Sequence, residues 1–142
     1  MTAISLDDIA NAYRRAQRSI VRGMEDAADF DDDARFAALE LDQNIVDAAF
    51  FVLIFGQLER RITDLAVHKV KRQNQKSALR DAKFEKRLEI ALRAQPDLRR
   101  EIEDWYSVRS DPAHGRGIAS GYDIGAVLKR AREIDALLIA LQ

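Results

Sequence analysis

The sequence contains no cysteine, which excludes disulfide bonds and thiolate metal ligands. It has only 2 prolines and 6 glycines among 142 residues, so few positions interrupt a helix. The longest apolar run, Ala48 to Phe55, is far shorter than the ~20 residues of a membrane span. The first residues also lack the basic and apolar segments of a signal peptide. We therefore expect a cytoplasmic protein that does not contact a membrane.

The chain also lacks an excess of charge of either sign. It carries 23 basic and 24 acidic side chains, for a formal net charge of -1, which argues against nucleic-acid binding through overall basic charge. The charge is unevenly distributed, with an acidic excess in residues 1–47 and a basic excess in residues 57–116. A polyanion is therefore expected to contact the middle of the chain rather than its first third.

Helical periodicity is the dominant pattern in the sequence. Ser5 and Asp8 form the pattern of a capping box, and the apolar residues that follow recur every three or four positions until about Asp29. The acidic cluster 31–33 is predicted to cap the next helix by accepting its free N–H groups. After a short helical segment, a long helix is expected from about residue 42 to 72, with a length of about 45 Å.

The remaining segments predict several further helices around this long one. Because Ala48 to Phe55 is apolar all round, the long helix is expected to lie among other helices or at a subunit interface. The polar segment 69–76 should form a turn, Ser77 should cap the next helix, Pro96 should open another and Asp123 should cap the last. We therefore predict one domain, residues 1–142, with an all-α, up-and-down and mostly antiparallel bundle of four to five main helices.

The residues best suited to chemistry lie together in segment 109–115, which reads RSDPAHG. Arg109 carries a permanent planar charge that can bind a phosphate with two hydrogen bonds, and His114 can exchange a proton near neutral pH. A regular helix would hold these two side chains apart around its axis, whereas a turn at Asp111 and Pro112 would bring them together. Ser110 or Asp111 could cap a helical turn that starts at Pro112, where free N–H groups favour an anion.

Two other sets of charged residues have both a functional and a structural interpretation. Glu59 follows the apolar side of the long helix, so it could support Arg109, or it could pair with Arg60 or a lysine at the edge of that side. The basic residues of the segment after the long helix could follow an RNA backbone, although such runs are most often solvated turns. These residues are Lys69, Lys71, Arg72 and Lys76.

The motif at 109–115, together with the stretch FFVLIFGQLERRIT at residues 50–63, resembles the HEPN family of helical-bundle ribonucleases. The resemblance covers about residues 40 to 140 and implies a HEPN-like bundle. Members have an arginine, a polar residue and, after four to six intervening positions, a histidine, and they typically cut RNA without a metal as homodimers. The resemblance thus implies that Arg109 binds phosphate, that His114 transfers the proton, and that no metal or cofactor is needed. Ser110 and Asp111 take supporting positions, although family members often have Asn or Asp directly after the arginine.

The resemblance and the chemistry together imply a homodimeric endoribonuclease. Attack of the RNA 2'-hydroxyl on the adjacent phosphate needs a base, an acid and positive charge on the phosphoryl oxygens. One motif supplies one histidine, so a two-fold dimer with both motifs at its axis would supply the pair. Such an enzyme could be a toxin or a defence effector, with a cognate antitoxin or a regulatory protein as partner. The alternatives are a HEPN module that binds RNA or nucleotide without catalysis, and a helical protein-interaction adaptor.

Overall fold

The computed structural model of the chain describes the backbone of residues 3–113 and 123–142 and the side chains of residues 3–109 and 123–142. These ranges contain six helices and no strand, which confirms the all-α prediction and shows that four to five main helices was wrong. The helices are α1 (Leu6–Asp29), α2 (Asp33–Lys69), α3 (Gln73–Arg80), α4 (Phe84–Ala91), α5 (Pro96–Ala113) and α6 (Ile124–Ala140).

The first two helices begin where the local sequence predicts. The Ser5 hydroxyl accepts the Asp8 N–H at 3.1 Å, and the Ser5 N–H donates to the Asp8 carboxylate at 3.0 Å, so the capping box is confirmed. These hydrogen bonds lower the pKa of Asp8. The Asp32 carboxylate accepts the Arg35 N–H at 3.1 Å and caps α2.

The two long helices form an antiparallel hairpin. Near the start of α1, the Tyr13 hydroxyl donates to the Asp47 carboxylate at 2.7 Å, and near its end Asp26 pairs with Arg35 at 2.6 Å. Residue numbers thus rise along one helix as they fall along the other. This confirms antiparallel packing for the first pair of helices.

The second helix runs without interruption for 37 residues, or about 55 Å. The separate short segment predicted before it was wrong, because no proline or turn sequence divides the helix. Gly56 does not break it either, since α2 is continuous on both sides of that position. All five other helices contact α2, and its Phe51, Phe55 and Leu58 are fully buried. The central position predicted for this helix is confirmed.

The segment after α2 forms two short helices rather than one. Ser77 lies inside α3 and does not cap a helix, so that prediction was wrong. The break between α3 and α4 separates Leu79 from Phe84, and both side chains are buried in the core. One straight helix would point residues five positions apart in different directions, whereas the break lets both reach the same core.

The fourth helix runs in the same direction as α2. At the start of α4, the Phe84 ring packs 5.4 Å from the Phe55 ring of α2. At the ends of both helices, the Lys69 ammonium donates to the Ala91 carbonyl at 2.8 Å. Residue numbers therefore rise together along the two helices. This departs from the mostly antiparallel arrangement predicted, because α3 has already returned the chain.

The fifth helix begins at Pro96, as predicted, and continues through Ala113. The predicted turn at Asp111 and Pro112 was therefore wrong. Pro112 has no N–H to donate to the carbonyl four residues earlier, that of Val108, so the helix continues here without that hydrogen bond. Segment 109–113 is thus helical, and the predicted histidine, His114, lies outside the described residues.

All six helices contribute to one apolar core. Asp123 caps α6, as predicted, by accepting the Ala126 N–H at 2.9 Å. Within the described ranges, none of the helices combines the length and apolar composition that crossing a bilayer requires. Representative core residues, one from each helix in order, are Ile9, Phe51, Leu79, Phe84, Ile102 and Ile134.

Candidate functional site

Arg109 is the only residue predicted to be catalytic whose side chain is described. It lies near the end of α5, with 32% of its side chain exposed, and its guanidinium faces α2. The side chains of Ser110 and Asp111 lie outside the described part of the chain, as does His114. The site is therefore built here from Arg109 and from the described side chains around it.

Glu59 of α2 lies between two arginines from different helices. One of its carboxylate oxygens is 3.2 Å from an Arg87 guanidinium nitrogen, and the other is 3.9 Å from a guanidinium nitrogen of Arg109. Arg60, the neighbour proposed as an alternative partner, donates instead to Gln57 at 3.1 Å. The side chain of Glu59 is 24% exposed, so the acid faces inward and its contacts are cationic.

Arg87 was missed by the sequence interpretation, and it is the most buried charged member of the cluster. Its side chain is 15% exposed, and it donates to the Thr63 hydroxyl at 2.7 Å and to Glu59. Its Nε is buried without a hydrogen-bond partner in the described part of the chain. Arg87 lies three residues after Phe84 and one before Leu88, which places it on the apolar side of α4. This position in the sequence is the feature from which an inward-facing arginine could have been predicted.

Three aromatic rings support the two guanidinium groups. The rings of Phe55, Phe84 and Tyr106 lie 4.8 to 5.9 Å from one another. The Arg109 guanidinium carbon is 5.8 Å from the centre of the Phe55 ring and 5.6 Å from that of Tyr106. The Arg87 guanidinium stands 5.8 Å from the centre of the Phe84 ring. Planar guanidinium groups are attracted to aromatic faces at this range, so the rings fix where both charges lie.

We call Glu59, Thr63, Arg87 and Arg109 the Glu59 cluster. Two permanent positive charges face one carboxylate, so the cluster carries an excess positive charge at the edge of the core. The contact of Glu59 with Arg87 is short enough for a hydrogen bond, whereas 3.9 Å to Arg109 is not. Among the described residues the Arg109 guanidinium makes no hydrogen bond, so its N–H groups are available to an anion at the partly exposed side.

The basic residues of segment 69–76 do not share one surface role. Lys69 ends α2 and donates to the Ala91 carbonyl, so it ties α2 to α4. Arg72 precedes α3 and is exposed, as is Lys71, whereas Lys76 is half-buried on α3. None of the four has a described contact with Arg109, so their predicted role in RNA binding stays a prediction.

Comparisons of this chain with known proteins give no assignment. No protein-family model, no curated protein and no solved structure matches it. In the described ranges, no group of three or more His, Asp or Glu side chains is placed to hold a metal ion. The Glu59 cluster and the residues of segment 109–115 are thus the basis for a functional proposal.

Proposed function

We propose that this protein is a metal-independent endoribonuclease of the HEPN type, with Arg109 as its phosphate-binding residue and His114 as its proton-transfer residue. The observation that carries the proposal is the position of Arg109. Its guanidinium is held beside Glu59 and above two aromatic rings, yet it remains one-third exposed. A fixed, accessible guanidinium is suited to stabilise the charge that develops on phosphoryl oxygens.

The proposed reaction is attack of the RNA on itself. One imidazole accepts the proton of the 2'-hydroxyl as its oxygen bonds to phosphorus, and the second donates a proton to the 5' oxygen as its bond to phosphorus breaks. The products are a 2',3'-cyclic phosphate and a 5'-hydroxyl end. Arg109 supplies the positive charge, and His114 from each of two copies supplies the base and the acid.

A second copy of the chain is supported by an apolar stripe on α2. Leu41, Ile45, Ala49 and Leu53 recur every four residues and are exposed, the three larger side chains by 59%, 58% and 46%. Exposed apolar surfaces of this kind mark contact sites between proteins. The stripe lies on the helix that carries Glu59, and its burial against the same stripe of a second copy would form a two-fold interface on α2.

A non-catalytic module that binds RNA or nucleotide is the second candidate. It is favoured by the described side chains at the site, where the Arg109 guanidinium can bind an anion and the rings of Phe55 and Tyr106 position it. The described side chains in contact with Arg109 are those of Glu59, Phe55 and Tyr106, and none of them is a histidine. The two candidates therefore differ in whether His114 turns binding into cleavage.

A cleavage assay with and without a chelator separates the two. Wild-type protein should cut a fluorescent single-stranded RNA in EDTA, leave cyclic phosphate ends and spare the same substrate with 2'-deoxyribose throughout. His114→Ala should lower the rate by about 10²- to 10⁴-fold. Arg61→Ala is a control, since Arg61 pairs with Asp135 at 2.8 Å between α2 and α6. Wild-type rates in His114→Ala would refute the nuclease assignment.

A further inference from the structure

Arg87 is a charged member of the Glu59 cluster that has no role in the proposed reaction. It is an arginine with a side chain only 15% exposed, and it faces a carboxylate that also approaches Arg109. Burial of a guanidinium Nε costs desolvation energy, and it is retained here although this atom has no partner in the described part of the chain. Its contacts indicate what it does.

The Glu59 carboxylate lies closer to Arg87, at 3.2 Å, than to Arg109, at 3.9 Å. Arg87 makes a hydrogen bond to one carboxylate oxygen and a second one to the Thr63 hydroxyl, which in turn donates to the Glu59 carbonyl at 2.9 Å. Glu59 is therefore anchored on the side of α4. Arg109 is 3.9 Å from the other oxygen, at which range it is attracted without being bound.

This difference in distance matters because a carboxylate competes with phosphate for a guanidinium. Both anions match the planar fork of arginine, so a Glu59 with no other partner would bind Arg109 with two hydrogen bonds. Such a pair would cancel the charge and occupy the donors that a phosphate needs. The hydrogen bond from Arg87 to Glu59 prevents this pairing of Glu59 with Arg109.

We propose that Arg87 is a positioning residue that keeps Glu59 from capturing Arg109, so that Arg109 remains free to bind an RNA phosphate. The inference rests on the proposed phosphate-binding role of Arg109. It assigns Arg87 no contact with RNA. Its effect is transmitted through the carboxylate of Glu59 alone.

The prediction that distinguishes this role from a structural one is a rescue. Arg87→Met should free Glu59 to pair with Arg109 and weaken RNA binding by about tenfold, the effect expected when one charged hydrogen bond is lost. Glu59→Gln alone should bind RNA as tightly as wild type or more tightly. The double variant Arg87→Met/Glu59→Gln should return to wild-type binding, because no carboxylate remains to compete.

The experiment measures binding of a fluorescent 2'-O-methyl RNA by anisotropy, since this RNA has no 2'-hydroxyl to react. Arg109→Met tests the proposed function, and Arg130→Met is a matched control because Arg130 pairs with Glu101 at 2.7 Å on α5. Far-UV circular dichroism establishes which variants are folded. If the unpaired Glu59 carboxylate prevents Arg87→Met from folding, Glu59→Gln and the double variant, which leave no unpaired carboxylate, decide the outcome.

Each result has one meaning. Unchanged binding in Arg109→Met would refute the proposed function, and the inference with it. Weak binding in Arg109→Met with unchanged binding in Arg87→Met would refute only the inference. Binding by the double variant as weak as that of Arg109→Met would also overturn it, because Arg87 would then act on RNA directly. Rescue to the wild-type level supports it.

Discussion

Replacement of Phe55 by leucine should weaken both the fold and the hold on Arg109. The Phe55 ring is fully buried, and it lies 5.4 Å from Phe84 and 5.9 Å from Tyr106. Leucine keeps an apolar side chain there but removes both ring contacts, each of which contributes about 0.5–1.5 kcal/mol. We expect the free energy of unfolding to fall by roughly 1–3 kcal/mol in Phe55→Leu.

The contribution of Arg109 can be separated with a double-mutant cycle. Its guanidinium lies 5.8 Å from the Phe55 ring and its side chain is 32% exposed, so we expect a coupling energy of about 0.5–1 kcal/mol. Phe55→Leu, Arg109→Met and the double variant complete the cycle with wild type. The double variant should lose less stability than the sum of the two single changes.

Urea unfolding followed by far-UV circular dichroism measures the cycle. All variants should be compared at one protein concentration, because dimer formation would shift the midpoint. Phe51→Leu is the control: Phe51 is equally buried, and its ring lies 6.0 Å from Trp105. A coupling energy of zero for Phe55, or the same coupling for Phe51, would refute the claim that the Phe55 ring holds Arg109.

Three other predictions concern the hairpin, the last helix and the apolar stripe. Burial and the hydrogen bond to Asp47 raise the pKa of Tyr13 above its ordinary value of 10.0. The contribution of Tyr13 to the free energy of unfolding is therefore complete below pH 10.0 and is lost as the pH rises beyond that value. The melting temperature of Tyr13→Phe should therefore fall less steeply in alkali than that of wild type; parallel profiles would contradict this. Asp123→Ala should lower the free energy of unfolding by about 1 kcal/mol through loss of the α6 cap, and an unchanged urea midpoint would show that the cap is dispensable. Ile45→Glu should convert a dimer to the 16.1 kDa monomer in light scattering, whereas an intact dimer would place the interface elsewhere.

The features that could be predicted from the sequence are those fixed by neighbours along the chain. Ser5, Asp32 and Asp123 cap their helices because a side-chain oxygen there reaches an N–H group three residues later. The central position of α2 followed from its run of apolar residues for the same local reason. Caps and apolar runs need no information about distant residues.

The features that could not be predicted depend on other helices. Ser77 resembles a cap, but burial of Leu79 and Phe84 sets the ends of α3 and α4. Proline cannot donate the helical hydrogen bond and so favours a turn, yet α5 continues past Pro112 to Ala113. Arg87 appears as one basic residue among many until Glu59, from α2, is placed beside it.

One edge of α2 connects the core to the candidate site. Phe55, Glu59 and Thr63 are spaced by four residues, so an aromatic ring, a carboxylate and a hydroxyl lie in line along the helix. Arg87 from α4 and Arg109 from α5 reach this line only because the rings of Phe84 and Tyr106 pack against Phe55. The same ring contacts therefore stabilise the core and set the distance between the two guanidinium groups. It follows that a substitution which loosens this packing should weaken anion binding and stability together. Glu59→Gln leaves the rings in place, so it should keep anion binding at or above the wild-type level whatever its effect on stability.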